Sequence, residues 1–518
     1  MLLSSYRSIQ RSRELILFYL FEKQTYILAK QESSMYKSKI ILITFILIFS
    51  CEDNPGNNNN DSIISVLYPT SDSIIMESVT ISLEIQDEDN VYKVELWMNG
   101  DSTENVDYDA PFALELDTRN YDNGINTFFI RLYEIDGAIH DSEDINFLIN
   151  NFLVFSTLFG TPGKDEEGYS ILQKPDSNFV VLGNTDNDIL LLEVSNSGEV
   201  MWNQSYGGSQ TDEAHHFEQT TDGGYIISGS TQSYGFGGSD IWLIKSGSDG
   251  LIEWNTYIGT ENDEQGGQVL QTNDGGYIII GNHINNQNQD SDVWVIKTNS
   301  QGDSLWTKTY GGDGNELGSD IIFVENEGYL LLGSTTSYGN GDSDIFLIKI
   351  DELGNQEWFR SYGIGSDDIG QAIIQSRDGG YVIQFLVEGY GDGNTAAGLM
   401  KVDFEGNVLW TKAFGGTINT KSKMFSVVNS SEYISVCSQL DYSTNSSNTW
   451  LIKIDDNGEI IWEKIFGKNI KDDGFAVAPT LDNGFVITGR SNSFGDSDVN
   501  LFDLWILKTD PSGYSKFE

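Results

Sequence analysis

Six tryptophans recur along the chain at a constant spacing of 52 residues: Trp202, Trp254, Trp306, Trp358, Trp410 and Trp462. A second aromatic series keeps the same spacing without an insertion: Tyr225, Tyr277, Tyr329, Tyr381, Tyr433 and Phe485. Self-similarity at a fixed period of this length is typical of repeat architectures, in which each unit buries its apolar face only by packing on its neighbours. The repeat therefore constrains the fold more than any other feature of the sequence, although it indicates little about function.

Each repeat unit reads as four short β-strands, named A to D in chain order. In the unit that contains Tyr225, the pattern predicts strands at 214–220, 225–231, 241–246 and 251–258. The Asp-Gly-Gly run 222–224 and the Asp-Gly pair 249–250 supply the positive φ angles of tight hairpins. Four antiparallel strands in about 50 residues are typical of a propeller blade, whereas a solenoid would need shorter repeats or helices.

Counting the A strands predicts seven blades within residues 151–518. The last blade has too few residues for its own strand D, whereas the segment Phe152–Phe159 precedes the first strand A as a spare strand. We expect this segment to pair with Leu504–Lys508 and close the ring, which removes exposed sheet edges. The alternative is that Tyr514–Phe517 completes the last blade and the spare segment only covers it.

Residues 63–150 show a different pattern, of short runs that alternate between apolar and polar residues. Such alternation predicts half-buried antiparallel strands, and about seven of them make a β-sandwich. The stretches 87–100, 109–112 and 122–127 resemble the bacterial immunoglobulin-like domains of cell-surface proteins. The predicted fold class is therefore all-β, with an N-terminal Ig-like β-sandwich followed by a seven-bladed β-propeller of four antiparallel strands per blade.

The pattern of the first 62 residues predicts an export signal and a tether rather than a folded domain. Two lysines after Met35 precede a run from Ile40 to Phe49 without a charged residue, which matches the apolar region of a secretory signal and is too short to span a bilayer. The tetrapeptide ending in Cys51 resembles the lipobox of bacterial lipoproteins, which implies cleavage before Cys51 and lipid on that residue. Residues 1–34 would then be an upstream extension, 35–50 a signal peptide and 51–62 a tether. An ordinary secretory signal with an incidental cysteine is the alternative.

The charge of the chain restricts its partners. The formal net charge is -49, and most acidic residues lie beyond the signal. Such a surface repels nucleic acid and anionic lipid headgroups, so neither is an expected ligand. Lipid on Cys51 is the expected link to the membrane, and the expected location is extracytoplasmic, at the outer membrane or cell surface.

Several polar residues have both a structural and a functional interpretation. Asp87, Glu88 and Asp89 share a predicted loop and are candidate Ca²⁺ ligands, although a solvated acidic turn is the preferred interpretation. Ser-Asp pairs before strand C, such as Ser239-Asp240, could ligate metal or cap the turn. We expect the repeated tryptophans to pack between blades rather than to bind a ligand. We expect lysines of strand C such as Lys245 to snorkel, with the aliphatic part of the side chain buried and the ammonium group in solvent. We also expect His215 and His216 to be ordinary strand residues and Cys437 to be a buried thiol.

The repeat resembles two groups of known propellers. The segment 450–462 is similar to pyrroloquinoline-quinone propellers and to a related non-enzymatic outer-membrane assembly lipoprotein, and the Asp-Gly-Gly-Tyr element is similar to secreted multi-repeat propeller proteins. Quinone-dependent enzymes typically have more blades and a vicinal cysteine pair, whereas this propeller segment contains a single cysteine. We therefore expect no cofactor, apart from Ca²⁺ as an open option.

The leading functional interpretation is a non-enzymatic, lipid-anchored binding or scaffold protein that uses variable propeller loops to bind protein or glycan. Loops carried on a rigid scaffold are where binding usually evolves. The alternatives are a polysaccharide-active enzyme or glycan-binding module, and an envelope-complex assembly factor.

Replacing Cys51 with serine should abolish lipid attachment, because the acylated thiol would be missing. In bacterial cells fed labelled palmitate, the unchanged chain should carry label and sediment with membranes, and the Cys51→Ser chain should do neither. Cys437→Ser is the matched control and should behave as the unchanged chain does. Labelling of Cys51→Ser would contradict the lipobox interpretation.

Overall fold

The structure, a computed structural model, describes an all-β protein. The described residues are 64–71, 73–75, 78–121, 124–149, 154–284, 290–325, 327–339, 342–363, 367–390, 394–415, 418–419, 425–429, 432–441, 444–468, 470–493 and 501–515. They contain no α-helix, and two 3-10 turns lie at Glu88–Asn90 and Thr118–Asn120. In this part of the chain no helix has the length and hydropathy needed to cross a bilayer. The signal segment, the tether and Cys51 lie outside the described residues.

The first nine strands form two sheets around one core. They are β1 (Ile64–Tyr68), β2 (Ile74–Ile75), β3 (Ser78–Ile85), β4 (Val91–Met98), β5 (Asp101–Asp107), β6 (Ala113–Asp117), β7 (Gly124–Glu134), β8 (Ile139–Asp141) and β9 (Ile145–Ile149). One sheet has the order β1-β3-β6 and the other β2-β9-β7-β4-β5, with β8 also paired to β7. Period-2 alternation in β7 sends Phe128, Ile130 and Leu132 into the core, where all are fully buried. The predicted strands of this segment are confirmed.

The remaining strands form seven further antiparallel sheets, which we number I to VII in chain order. Strand β10 (Phe155–Phe159) comes first. Sheet I contains β11 (Glu166–Gln173), β12 (Phe179–Thr185), β13 (Asp188–Val194) and β14 (Val200–Tyr206), and sheet II contains β15 (Asp212–Gln219), β16 (Tyr225–Thr231), β17 (Asp240–Ser246) and β18 (Ile252–Ile258). Sheet III contains β19 (Asp263–Gln271), β20 (Tyr277–Ile284), β21 (Ser291–Thr298) and β22 (Ser304–Tyr310), and sheet IV contains β23 (Glu316–Val324), β24 (Gly328–Thr335), β25 (Asp344–Ile350) and β26 (Gln356–Tyr362).

Sheets V to VII complete the series. Sheet V contains β27 (Asp368–Gln375), β28 (Tyr381–Tyr390), β29 (Asn394–Val402) and β30 (Val408–Phe414). Sheet VI contains β31 (Ile418–Asn419), β32 (Phe425–Asn429), β33 (Glu432–Asp441), β34 (Ser446–Asp455) and β35 (Ile460–Phe466). Sheet VII contains β36 (Asp472–Pro479), β37 (Phe485–Ser491) and β38 (Asp503–Thr509). In sheet VI, β31 and β32 share the place of strand A, since both pair with β33. The predicted four-stranded antiparallel units are confirmed.

The apolar residues of strands B and C form a cyclic series of cores. Each of seven hydrophobic clusters takes side chains from two consecutive sheets, and one of them joins sheet VII to sheet I. The A strands contact one another in the same cyclic order, with β36 against β11. No sheet closes on itself, so burial between sheets stabilises the whole region. Cys437 is fully buried in the cluster shared by sheets V and VI, as predicted.

The repeated tryptophans lie between consecutive sheets. The six-membered edge of Trp202 packs on Gly250, a hairpin glycine of the next sheet with φ +76°, where a Cβ would lie 2.7 Å from Cζ3. The equivalent pairs are Trp254–Gly302, Trp306–Gly354, Trp358–Gly406, Trp410–Gly458 and Trp462–Gly513. Each hairpin glycine therefore serves its turn and also makes room for a ring of the preceding sheet.

The Asp-Gly-Gly turn is tied to a buried lysine. Asp222 accepts the backbone N–H of Gly224 at 3.0 Å, and its other oxygen lies 3.1 Å from Nζ of Lys245, whose side chain is 3 % exposed. The same ion pair recurs as Lys297–Asp274, Lys401–Asp378 and Lys508–Asp482. The expectation that Lys245 snorkels into solvent is wrong, because its side chain is buried and its ammonium group pairs with Asp222, whose carboxylate is 58 % exposed.

The first strand of the repeat region completes the last sheet. Strand β10 pairs antiparallel with β38, with Leu158 opposite Trp505, and the indole N–H of Trp505 donates to Oγ of Ser156 at 2.8 Å. The predicted pairing of Phe152–Phe159 with Leu504–Lys508 is confirmed for the described strand. Phe155 occupies the place of the repeated tryptophan, because its ring packs on Gly198 of sheet I.

Truncating Phe155 to alanine should destabilise the repeat region by about 3 kcal/mol, since the ring is buried against Phe179 and Gly198 at the junction of sheets VII and I. Urea unfolding followed by tryptophan fluorescence measures the change. Phe236→Ala removes the same ring from a side chain that is 68 % exposed and should change stability by less than about 0.5 kcal/mol. Equal effects of the two substitutions would show that the packing of β10 does not stabilise the junction of sheets VII and I.

Candidate functional site

The A strands of the repeat region carry a bulge at one repeated position. The register with strand B shifts at the same place in six sheets, which leaves a residue without a partner across the strand pair. The unpaired residues are Tyr169, His215, Gly267, Ser319, Gln371 and Phe475, with Gln268 also unpaired in sheet III. A bulge turns a side chain away from its regular direction, so this position differs physically from the rest of the strand.

The bulge has a local cause in the preceding small residue. The N–H of Gly266 donates to Oγ of Ser230 in the sheet before it at 3.0 Å, and a Cβ on this glycine would lie 2.5 Å from the carbonyl oxygen of Gly229. Gly318 docks in the same way on Oδ1 of Asn282 at 2.8 Å. The close approach to the neighbouring sheet therefore requires a small residue at this position, and the residue that follows it bulges out of the strand pair.

Six of these seven unpaired residues, from five sheets, line one cavity, which we call the central cavity. Its volume is about 410 Å³. Its wall is formed by residues from the A strands of sheets I to V, with Asn282 from β20: Tyr169, His215, His216, Gln265, Gly266, Gly267, Gln268, Asn282, Gly318, Ser319, Asp320, Ile322, Gln371, Ala372, Ile373 and Ile374. The volume is within the range of about 300–1,000 Å³ that small-molecule sites usually have.

Two ionisable residues lie immediately after bulges and reach the next sheet. Nδ1 of His216 accepts the N–H of Val269 at 3.5 Å, so the ring proton is on Nε2. The carboxylate of Asp320 accepts the N–H of Ile321 on one oxygen and that of Ile373 on the other, both at 2.7 Å. Both side chains therefore have a fixed direction at the cavity wall.

Burial controls the ionisation of these two groups. Burial lowers the pKa of His216 to about 4, so the ring is neutral at pH 7. Burial raises the pKa of Asp320 to about 7, although the two backbone N–H donors oppose the shift. Asp320 is 6 % exposed and has no ion-pair partner among the described residues. The cavity thus contains a carboxyl group that can gain or lose a proton near neutral pH.

A paired charge network lies beside Tyr169, among residues that do not line the cavity. Arg490 contacts Glu167 and donates through Nε to Asp473 at 2.9 Å, and the hydroxyl of Tyr169 donates to Glu167 at 2.7 Å. Burial raises the pKa of Tyr169, with Glu167 adding to the shift. The ring of Tyr169 also stacks on Phe475, with centroids 5.8 Å apart. The side chain of Tyr169 is therefore held in place by partners that lie outside the cavity lining.

The candidate sites expected from the sequence lie elsewhere. Asp87, Glu88 and Asp89 are exposed at a 3-10 turn, and the described residues contain no group of three or more His, Cys, Asp or Glu side chains that could hold a metal ion. Calcium binding at this turn stays a prediction. Asp240 caps its loop, since Oδ2 accepts the N–H of Phe236 at 2.9 Å.

His215 and His216 lie in strand β15, as expected from the sequence, but the sequence did not predict that they line a cavity. Both line the central cavity, and Nε2 of His215 lies 2.8 Å from Oγ of Ser230. One sequence signal could have indicated their role. The other repeats have no histidine at this position, which directly follows the small residue of strand A, here Ala214. A smaller polar pocket of about 210 Å³ lies between sheets II and III, lined by strand residues together with Thr211, Gln232 and Ser239 of the loops, and it shares Gln265 with the central cavity.

Comparison with known proteins identifies one domain. Residues 63–130 match the family described as a bacterial Ig domain, and no curated protein matches the chain. The solved structures similar to it include the following three. Virginiamycin B lyase from Staphylococcus aureus is 10% identical over 69% of this chain and 99% of its own, with a TM-score of 0.41. A protein from Lactobacillus plantarum is 11% identical over 74% and 98%, with a TM-score of 0.40, and puromycin hydrolase is 10% identical over 71% and 57%, with a TM-score of 0.38. At these values the likeness says nothing about activity.

The raised pKa of Asp320 predicts a pH-dependent contribution to stability. The folded protein binds the proton more tightly than the unfolded chain, whose ordinary pKa is 3.8, so this contribution is present below about pH 4 and is lost as the pH rises to about 7. Relative to Asp320→Asn, the wild type should lose stability on the order of 4 kcal/mol between pH 4 and pH 8.

Urea unfolding of both proteins across this pH range measures the difference. His216 titrates in the opposite sense but is common to both proteins, so its effect cancels. Gln371→Ala, a neutral change in the same cavity, should keep the wild-type slope. A constant difference between wild type and Asp320→Asn would mean that Asp320 ionises normally in the folded protein.

Proposed function

We propose that this chain is a lipid-anchored, extracytoplasmic binding protein without enzymatic activity, in which sheets I to VII form a seven-bladed β-propeller and the central cavity holds a small ligand. The cavity, rather than the variable loops, is the main site in this proposal. Binding of protein or glycan by the loops remains a secondary expectation.

Support for the propeller comes from the order of the contacts. Consecutive sheets share cores, sheet VII shares one with sheet I, and β10 supplies the fourth strand of sheet VII. A ring that ends by pairing its first strand with its last leaves no unpaired blade edge at the junction.

Support for the location comes from two independent segments. The match of residues 63–130 to a bacterial Ig domain is typical of extracellular or surface proteins. The lipobox-like sequence before Cys51 agrees with that placement and would add the membrane link. The outer membrane or cell surface is therefore part of the proposal.

One observation carries the binding function. At a single repeated position, where the scaffold demands only that the chain bulge, five sheets place five different residues on one cavity: Tyr169, His215, Gly267, Ser319 and Gln371. Structural positions such as the tryptophans repeat because packing repeats. A converging set that does not repeat is free to be selected for a ligand.

Two other functions remain alternatives. A polysaccharide-active enzyme or glycan-binding module would use the same cavity, with Asp320 and the histidines as its titratable groups. An envelope-complex assembly factor would use outer surfaces and would not need the cavity. Chemical change of a bound ligand identifies the first, and partner capture that ignores the cavity identifies the second.

Filling the central cavity should abolish ligand binding without unfolding the protein. Ser319→Trp places an indole in the cavity, and Ser304→Trp makes the same change at an exposed site on β22. A thermal-shift screen of the full chain in detergent against sugars, amino acids, amines and carboxylic acids is the measurement. We expect at least one compound to stabilise wild type and Ser304→Trp by several degrees but not Ser319→Trp.

Three results would contradict the proposal. The first is a set of hits that stabilise Ser319→Trp equally, which would place binding on the loops. The second is release of a product from a bound compound, as seen by mass spectrometry, which would identify an enzyme. The third is the absence of any hit together with capture of the same envelope proteins by all three chains, which would favour the assembly factor.

A further inference from the structure

The charge balance of the central cavity is one-sided. Asp320 is buried, its two oxygens each accept a single backbone N–H, and no Lys or Arg is among the residues that line the cavity. His216 supplies no positive charge at neutral pH, because burial lowers its pKa to about 4. A buried carboxylate is costly unless it is protonated or paired with a cation. In the described part of the chain the protein provides no such cation.

The neighbouring side chains offer hydrogen bonds rather than charge. Gln268, Ser319 and Gln371 line the cavity on adjacent A strands, and none of their side chains makes a hydrogen bond to another described residue. Polar groups at an inner wall without protein partners are available to hydroxyl or amide groups of a ligand. The cavity therefore combines one anionic group with several neutral hydrogen-bonding groups.

The kind of cation follows from the number of oxygen ligands. Ca²⁺ takes six to eight oxygens and Mg²⁺ a near-ideal octahedron, usually with more than one carboxylate. The central cavity offers one carboxylate, and the described residues contain no group of three or more metal-ligating side chains. An ammonium group needs only one ionic partner and a few further acceptors. An organic amine fits this wall better than a metal ion does.

The outer surface favours the same charge. The chain carries a formal net charge of -49, so its field attracts cations and repels anions before they reach the cavity. We infer that the central cavity binds a small organic amine that also carries hydroxyl or amide groups, with its ammonium group on Asp320 and its polar groups on Gln268, Ser319 and Gln371. This inference rests on the proposed binding function and names the ligand class of the same site.

Matched probes isolate the charge of the ligand. Glucosamine, glucose and N-acetylglucosamine share one ring and differ at a single position, and 1,4-diaminobutane and 1,4-butanediol share one carbon chain. Titration calorimetry of the full chain in detergent at pH 7 should give at least tenfold tighter binding of each amine than of its neutral counterparts. This comparison uses only the wild-type protein and so does not depend on how a variant folds.

Substitution of the carboxylate tests its role. Asp320→Asn should reduce the preference for the amine to less than about twofold. Asp313→Asn removes an equal charge from an exposed loop residue of the same region and should leave the preference unchanged. If Asp313→Asn and Asp320→Asn reduce the preference equally, general surface charge is responsible and the inference is overturned.

The remaining outcomes separate the two proposals. Neutral probes that bind as tightly as amines, with binding lost in Ser319→Trp, would overturn the amine assignment and leave the binding function intact. Failure of every amine and neutral probe, together with stabilisation by carboxylic acids that Ser319→Trp abolishes, would do the same. Amine binding that persists in Ser319→Trp would place the site outside the cavity and overturn the inference.

Discussion

The packing of an aromatic ring on a hairpin glycine of the next sheet is the contact on which the repeat region depends. It occurs between every pair of consecutive sheets, with Phe155 on Gly198 replacing tryptophan at the junction of sheets VII and I. The glycine adopts a left-handed conformation and leaves room that any side chain would fill, so both residues of the pair are restricted. Because this contact fixes the spacing of neighbouring sheets, it also fixes where the A strands meet and where their bulges point.

The same geometry separates positions that must repeat from positions that are free to vary. A small residue such as Gly266 or Gly318 has to dock on the preceding sheet, whereas the residue after it only has to leave the strand pair. The scaffold thus presents one variable side chain per sheet to a common space, and rigid elements hold it there. The carboxyl of Asp320 is buried beside this space, and its two backbone N–H donors offset part of the desolvation that raises its pKa.

The sequence predicted the strands, the sheet units and the closing strand well, because hydrophobic alternation, turn residues and a constant period are local signals. It did not predict the central cavity. His215 looked like an ordinary strand residue, since nothing in its local pattern indicates a bulge that is caused by contact of Ala214 with the sheet before it. The charge environment of Asp320 was equally hidden, because its partners Ile321 and Ile373 and its burial depend on two sheets meeting. Residues that depart from the repeat, such as the adjacent histidines His215 and His216, were the sequence feature that indicated this site.

A crystal structure of the full chain soaked with glucosamine tests the central claim most directly. That claim is that non-repeating residues at the A-strand bulges form one ligand site with an anionic group. The predicted result is a single sugar ring in the central cavity, with its amine nitrogen within hydrogen-bond distance of the Asp320 carboxylate and its hydroxyl groups on Ser319 and Gln371. An empty cavity with the sugar bound on the outer loops would contradict it.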